Sequence, residues 1–293
     1  MDDLLWPHFL PLWRDLGAAS STNILIAGGY GLFLKQQWLS SAASLRTVVP
    51  IQNWLDATPR VTKDVDLVLA LDLIKDAGHQ KSVITALNQN GFEASDRAHE
   101  QRWKFIKRLQ GNQLIVVEMH APRPDPGVTG ITATDKRVKH KPSLGEQGVH
   151  GRTNPQAVGS ELHPFQFAID GIDLNVPNPV TWSIMKLTAT GDRWASSQDP
   201  QLEEERREFS RVQAAKHAQD VYRIIGMMTM EERDRASVVV ASIVGTDAFL
   251  IEKQCWQNFF ADNPIPAVQQ LGAKWLSDDA ITIRQVLSGW FGR

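Results

Sequence analysis

From Asn23 to about Pro122, short apolar runs alternate with stretches in which apolar residues recur every three or four positions, the pattern of a sheet with packed helices. Asn23-Ile-Leu-Ile-Ala-Gly-Gly reads as a strand or helix end running into a glycine turn, and Tyr30 to Leu39 as a helix. Val65 to Leu69 is rich in β-formers, and Lys81 to Gln89 is helical in period until Asn90-Gly91 stops it. Trp103–Leu109 and Gln113–Met119 flank Gly111-Asn112 as the arms of a hairpin. Between Ala121 and about Pro179 the periodicity breaks up among prolines and glycines into a loop-rich bridge. Within it only Phe165 to Asn175 alternates well enough for one or two strands, turning at Asp170-Gly171. After that the period is helical, over Thr181–Ala189, Pro200–Met228, Met230–Ile243 and Asp247–Phe260, with shorter helices near Ala267–Leu276 and Ala280–Trp290. The prediction is an α+β chain: a mixed sheet with flanking helices over residues 1–178, including the bridge from about 121, then a mostly helical domain over 179–293.

Composition narrows the class without naming a function. A chain of 293 residues, 42% hydrophobic and 22% charged, is that of a globular protein able to bury a core without staples. Cys255 is the single cysteine, so no intramolecular disulfide forms and a reducing compartment is expected. Met1 to Leu12, with Asp2, Asp3, Pro7 and Pro11, lacks the basic-then-apolar form of a secretory leader, and no run approaches the roughly 20 apolar residues of a membrane span. A cytoplasmic location without membrane attachment is the expectation. The net charge of −2 excludes a global basic field for nucleic acid. Two local basic runs stand out, Arg97, Arg102, Lys104, Lys107 and Arg108, and then Lys136, Arg137, Lys139 and Lys141; solvated surface is the commoner role of such runs. Ten tryptophans are expected mainly as core or interface anchors.

The candidate chemistry centres on Thr62-Lys63-Asp64-Val65-Asp66-Leu67. Residues i and i+2 of a strand share a face, which sets Asp64 and Asp66 side by side and turns Val65 and Leu67 to the core. Two adjacent carboxylates repel unless a cation lies between them, and a hard divalent ion with oxygen ligands, Mg²⁺ above all, relieves that repulsion. Asp-x-Asp alone is weak, but Glu118 ends a second apolar strand, Leu114-Ile-Val-Val-Glu118-Met-His120, where it can complete a metal-binding set. His120 shares its face; a surface or hydrogen-bonded histidine is its commoner role. Upstream, Gly28 and Gly29 at a helix start allow a phosphate to approach the backbone, although the run matches neither a Walker loop nor the dinucleotide spacing.

Taken in order, a Gly-Gly turn, a helix, an Asp-x-Asp strand and a later single acid resemble the DNA polymerase β-type nucleotidyltransferase fold. The helical half, with Lys186, Arg193 and then Lys216 and Asp220, resembles the AbiEii-type nucleotidyltransferases, toxin components of abortive-infection and toxin–antitoxin systems. The resemblance covers residues of about 22–225. It departs from the family pattern at His217, where the family has an aspartate, at Glu118, where an aspartate is common, and in Ser40 to Thr58, which looks like an insertion.

The resemblance implies Asp64, Asp66 and Glu118 as catalytic residues and ligands of two Mg²⁺ ions. It implies Gly28, Gly29, Lys186, Arg193, Lys216 and Asp220 as the nucleotide-binding set. The expected activity moves a nucleotide from an NTP to an RNA acceptor, particularly a tRNA 3′ end, or to a protein hydroxyl, with no preference for DNA and an antitoxin protein as partner. Two alternatives are a nucleotide- or RNA-binding module without turnover and a small-molecule transferase of the antibiotic-modifying kind; the basic runs count mildly against the latter.

Overall fold

A computed structural model describes residues 3–20, 23–42, 45–58 and 62–292. The chain divides into two compact units, Met1–Leu34 with Arg60–Pro177, and Lys35–Pro59 with Asn178–Arg293. The architecture is α+β, with a mixed sheet and a helical C-terminal part.

The first unit opens with α1 (Trp6–Ser20), β1 (Ile24–Ile26) and the start of α2 (Gly28–Ser41). There follow β2 (Asp64–Leu69), α3 (Leu71–Lys75), α4 (Ala77–Gln89), β3 (Glu93–Ala94), β4 (Lys104–Arg108) and β5 (Leu114–Ala121). Three short strands come next, β6 (Ile131–Ala133), β7 (Arg137–His140) and β8 (Gly151–Thr153), then a separate hairpin of β9 (Phe165–Ile169) and β10 (Ile172–Val176). The main sheet runs β1–β2–β5–β8–β7–β6, and β4, carrying β3, pairs with the first half of β5. The β2–β5 and β5–β8 pairs are parallel and the rest antiparallel.

Alternation explains the sheet. In β5, Ile115, Val117, Met119 and Ala121 are buried, and Val116, Glu118 and His120 occupy the other face. The β4–β5 hairpin forms where Gly111 and Asn112 both adopt positive φ, as the sequence predicts. Two features go beyond the sequence reading. The loop-rich bridge contributes β6, β7 and β8 to the main sheet; at three or four residues each, they alternate too briefly to be seen. The segment before Asn23 forms α1, which buries Phe9, Leu12, Trp13 and Leu16. Pro7 is tolerated in its first turn, where no intrahelical N–H is needed, and Pro11 forgoes only one bond.

The second unit is built on α5 (Pro179–Gln198), α6 (Glu204–Gly226), α7 (Met230–Ile243), α8 (Asp247–Phe259), α9 (Pro266–Gln269) and α10 (Ser277–Phe291). The starts of α5, α7 and α8 are capped by side chains: Asn178 accepts from Thr181 N–H (2.9 Å), Thr246 from Phe249 N–H (3.3 Å), and Thr229 with Glu232 forms a reciprocal capping box. The stretch read as an insertion is part of this unit. Val48 and Val49 N–H donate to Met228 and Gly226 carbonyls, and Trp54 is buried against Trp275 with ring centroids 4.8 Å apart. The second half of α2 brings Lys35, whose buried ammonium lies 2.6 Å from Glu232. No helix among the described residues is long and apolar enough to cross a membrane.

At the α5–α8 packing, Glu252 is fully buried, hydrogen-bonded to the Thr188 hydroxyl. Burial, with Asp192 adding to it, pushes its carboxyl up to about 7 against the pull of Thr188 and Cys255. Between the ordinary 4.5 and about 7 the folded chain therefore holds a proton that the unfolded chain has released. Stability must fall as pH rises through that window, by on the order of 2 kcal/mol. Melting curves from pH 5 to 8 check this. Glu252→Gln, neutral throughout, should flatten the decline, and identical pH slopes for wild type and variant would rule out Glu252 as its source.

Candidate metal centre

β2 enters the core just past Asp66. Val65 and Leu67 are fully buried on one face, which obliges Asp64 and Asp66 to share the other. The parallel register with β5 sets Asp66 directly beside Glu118 and Asp64 beside Val116. His120, two residues beyond Glu118, lies with Nε2 3.4 Å from Asp66 Oδ1. Asp66, Glu118 and His120 each offer one donor atom within 4.8 Å of the others. Two carboxylates and an imidazole form a donor set that fits a divalent cation, taking Mn²⁺ or Zn²⁺ as well as Mg²⁺. Asp64 extends the same face one alternation further along and is exposed.

Gly28 stands against this cluster. It opens α2 at φ +61°, and a Cβ there would lie 1.8 Å from Asp66 Oδ2. The carboxylate thus occupies the space a side chain would take, at the positive end of a helix dipole. Ala27 N–H donates to the Asp66 carbonyl (2.8 Å) and Gly31 N–H to the Ala27 carbonyl (3.0 Å), so strand, turn and helix are tied at this point. Gly29 follows within the first turn of α2.

Cations crowd the other side of the cluster. Lys104, opposite Glu118 on β4, places its ammonium 3.0 Å from Glu118 Oε1 and 3.7 Å from Glu100 Oε1. Arg152, opposite His120 on β8, reaches to 4.0 Å from Glu118 Oε2 while lying over the Trp103 ring. Arg137 pairs in register with Arg152, continuing the row. Burial, with Arg102, Arg137 and Lys139 adding to it, pushes the His150 imidazole down to about 4 and leaves it neutral among them. Burial raises Glu100, but the Ser95 hydroxyl and Lys104, then Arg97 and His99, outweigh it and hold this carboxyl below the usual range. Elsewhere the basic runs serve local ends: Arg108 meets Glu93 and Asp96, and Lys107 lies over the Phe92 ring.

The remaining predicted residues belong to the second unit, where α5 packs on α6. Lys186 Nζ lies 2.8 Å from Asp220 Oδ2, and both side chains are buried. The sequence sets Asp220 and Lys216 as helical neighbours; across the helix pair, Asp220 engages Lys186, with His217 Nδ1 at 3.9 Å. Arg193, seven residues beyond Lys186, is exposed, so the two differ in burial although one helix carries both. One turn past Asp220, Arg223 is buried and donates to the Thr58 carbonyl (2.8 Å), which the sequence reading passed over. Spacing from Asp220 along α6 is the signal that would have found it. His120 was legible by alternation from Glu118. Lys104 was not, because its partner depends on hairpin register.

No family model matches the sequence, and no curated protein matches it. Among solved structures, the chain is similar to an antigenic nucleotidyltransferase-like protein from Paracoccidioides brasiliensis, at 12% identity and a TM-score of 0.33, over 81% of this chain and 88% of that one. A likeness of that size carries no argument about activity.

The Gly28 contact makes a direct prediction. Gly28→Ala combines a positive-φ penalty with a clash against Asp66, and should lower stability by roughly 1–3 kcal/mol. It should also weaken divalent-ion binding by displacing the Asp66 carboxylate. Denaturant unfolding and Mn²⁺ titration check the two effects, and a variant with wild-type values in both would show that the close approach does not exist in solution.

Proposed function

We propose that this chain is a divalent-metal-dependent nucleotidyltransferase that moves a nucleotide from an NTP to a hydroxyl acceptor. The observation that carries the reading is the parallel register seating Asp66 beside Glu118, in front of the Gly28-Gly29 start of a helix. A carboxylate pair of this kind would hold a divalent cation, and the adjoining helix N-terminus offers backbone amides to a triphosphate. The order of these features along the chain, and the resemblance to AbiEii-type enzymes, supports the same reading.

In the proposed reaction, Asp66 and Glu118, with Asp64 further along the face, would hold divalent ions. When bound, these ions supply charge neutralisation at the entering and leaving oxygens. Gly28 and Gly29 present backbone to the phosphates. An acceptor hydroxyl forms its bond to the α-phosphorus, the bond to the β-phosphate oxygen breaks, and pyrophosphate leaves with the electron pair. The hydroxyl proton passes to the carboxylate face or to water. Arg152 and Lys104 offer positive charge beside the site for a polyanionic substrate. An RNA end or a protein hydroxyl as acceptor, an antitoxin partner, a toxin role and the nucleotide contacts of Lys186, Arg193, Lys216 and Asp220 are extensions of this proposal that the AbiEii resemblance supports.

The second reading, binding without turnover, draws on one observation: the Lys186 ammonium is already engaged by a buried carboxylate, Asp220.

The experiment incubates the protein with each labelled NTP, Mg²⁺ or Mn²⁺, and total RNA or cell lysate. Asp66→Asn and Glu118→Gln should each reduce transfer by at least about a hundredfold, while both variants stay folded. Labelling that is equal in wild type and variants would end the catalytic reading. Nucleotide binding without product would move the weight to the second.

A further inference from the structure

We propose that Lys104 is the resident cation of the candidate metal centre: its ammonium holds Glu118 and passes to Glu100 when Glu118 turns to a divalent ion. This inference rests on the metal reading of Asp66, Glu118 and His120.

Three observations carry it. Lys104 and Glu118 are directly opposite on antiparallel β4 and β5, so their side chains rise from the same face and meet at 3.0 Å. Glu100 waits on the other side of the same ammonium, with Oε1 3.7 Å from it. And Glu100 is fixed in place: its Oε2 accepts from the Ser95 hydroxyl (2.8 Å), and its backbone carbonyl accepts from Lys104 N–H (3.1 Å).

The lysine is thus shared between two carboxylates, one a candidate metal ligand and one not. A flexible four-carbon stem lets an ammonium change partner by rotamer alone, without moving the strand. Arg152 also approaches Glu118, at 4.0 Å, but its planar group lies over the Trp103 ring, which favours one orientation and makes it the static neighbour. A divalent ion approaching Glu118 therefore meets a carboxylate already compensated by an ammonium. Its affinity follows the difference between two ion pairs, Lys104 with Glu118 and Lys104 with Glu100. Lys104 is in this sense a positioning residue, setting how readily Glu118 becomes a ligand.

The test is Mn²⁺ titration of the full chain without nucleotide, reading free Mn²⁺ by electron paramagnetic resonance. Lys104→Met should bind Mn²⁺ roughly tenfold more tightly than wild type, since the competing charge is gone. Glu100→Gln should bind more weakly, because Lys104 is left with Glu118 as its carboxylate. The decisive arm is the double variant: without Lys104, Glu100→Gln should have little effect. Circular dichroism and melting establish folding, and Lys104→Gln replaces Lys104→Met if the latter does not fold. Unchanged affinity in the Lys104 variants overturns the exchange. So does a Glu100→Gln loss of equal size in both backgrounds, which would mark simple long-range attraction. In either of those cases the metal reading stands. If neither wild type nor any variant binds Mn²⁺, the metal reading falls and this inference with it.

Discussion

The candidate centre depends on one steric relation: the Asp66 carboxylate fills the space in front of Gly28. A helix normally begins with a side chain that caps or shields its first turn. Here the first residue has none, and a carboxylate from the neighbouring strand comes within bonding range of where a Cβ would stand. The turn is held to β2 by the Ala27 N–H bond to the Asp66 carbonyl, so backbone and side chain of Asp66 both fix the same junction. That places a negative charge at the positive end of α2 and limits how the carboxylate can rotate. Everything else in the cluster is arranged against a group already immobilised.

Register does the rest. β2 and β5 run parallel with Asp66 opposite Glu118, and a slip of one residue would send Glu118 into the core and Val117 or Met119 out to the site. The buried partners on the reverse face, Val65, Leu67, Val117 and Met119, make that slip prohibitive, because it would exchange apolar packing for buried charge. The hydrophobic core thereby sets the spacing of the acids. On the outer face the antiparallel β4 and the short parallel β8 then deliver Lys104 and Arg152 to Glu118. A cluster that would otherwise be two facing carboxylates is held close to charge balance.

How much of this was legible in the sequence follows from the same physics. The α+β class, the Asp-x-Asp strand, the hairpin and the long C-terminal helices were readable because each persists over enough residues for its period to show. Met230–Ile243 was read with the bounds that α7 takes. Glu118 was found because an acid at the end of an apolar strand is conspicuous. By contrast, β6, β7 and β8 are too short to show a period, and α1 was hidden by Pro7 and Pro11. In the stretch from Ser40 to Thr58, which looked like an insertion, Val49 and Trp54 are buried by tertiary packing that no local repeat announces. Pairings across elements, Lys104 with Glu118 or Lys186 with Asp220, are likewise fixed by register and helix packing, which a linear pattern does not encode.

The second unit poses a sharper question about its buried charges. Lys186 with Asp220 and Lys35 with Glu232 are both ion pairs removed from water, at 2.8 and 2.6 Å. Burying such pairs costs several kcal/mol of solvation per ion before their attraction is counted, and apolar replacements of equal size are often neutral or better. Their presence is therefore poorly explained by stability alone. For Lys35 the surroundings supply a structural account, since Glu232 also accepts the Thr229 N–H and so ties the pair to the start of α7. Asp220 has a different setting: Lys186 comes to it from another helix, and His217, an imidazole whose charge depends on protonation, lies one turn away. The two pairs are similar in distance and burial, and each joins two helices, α2 to α7 and α5 to α6, so that both fix which helices meet.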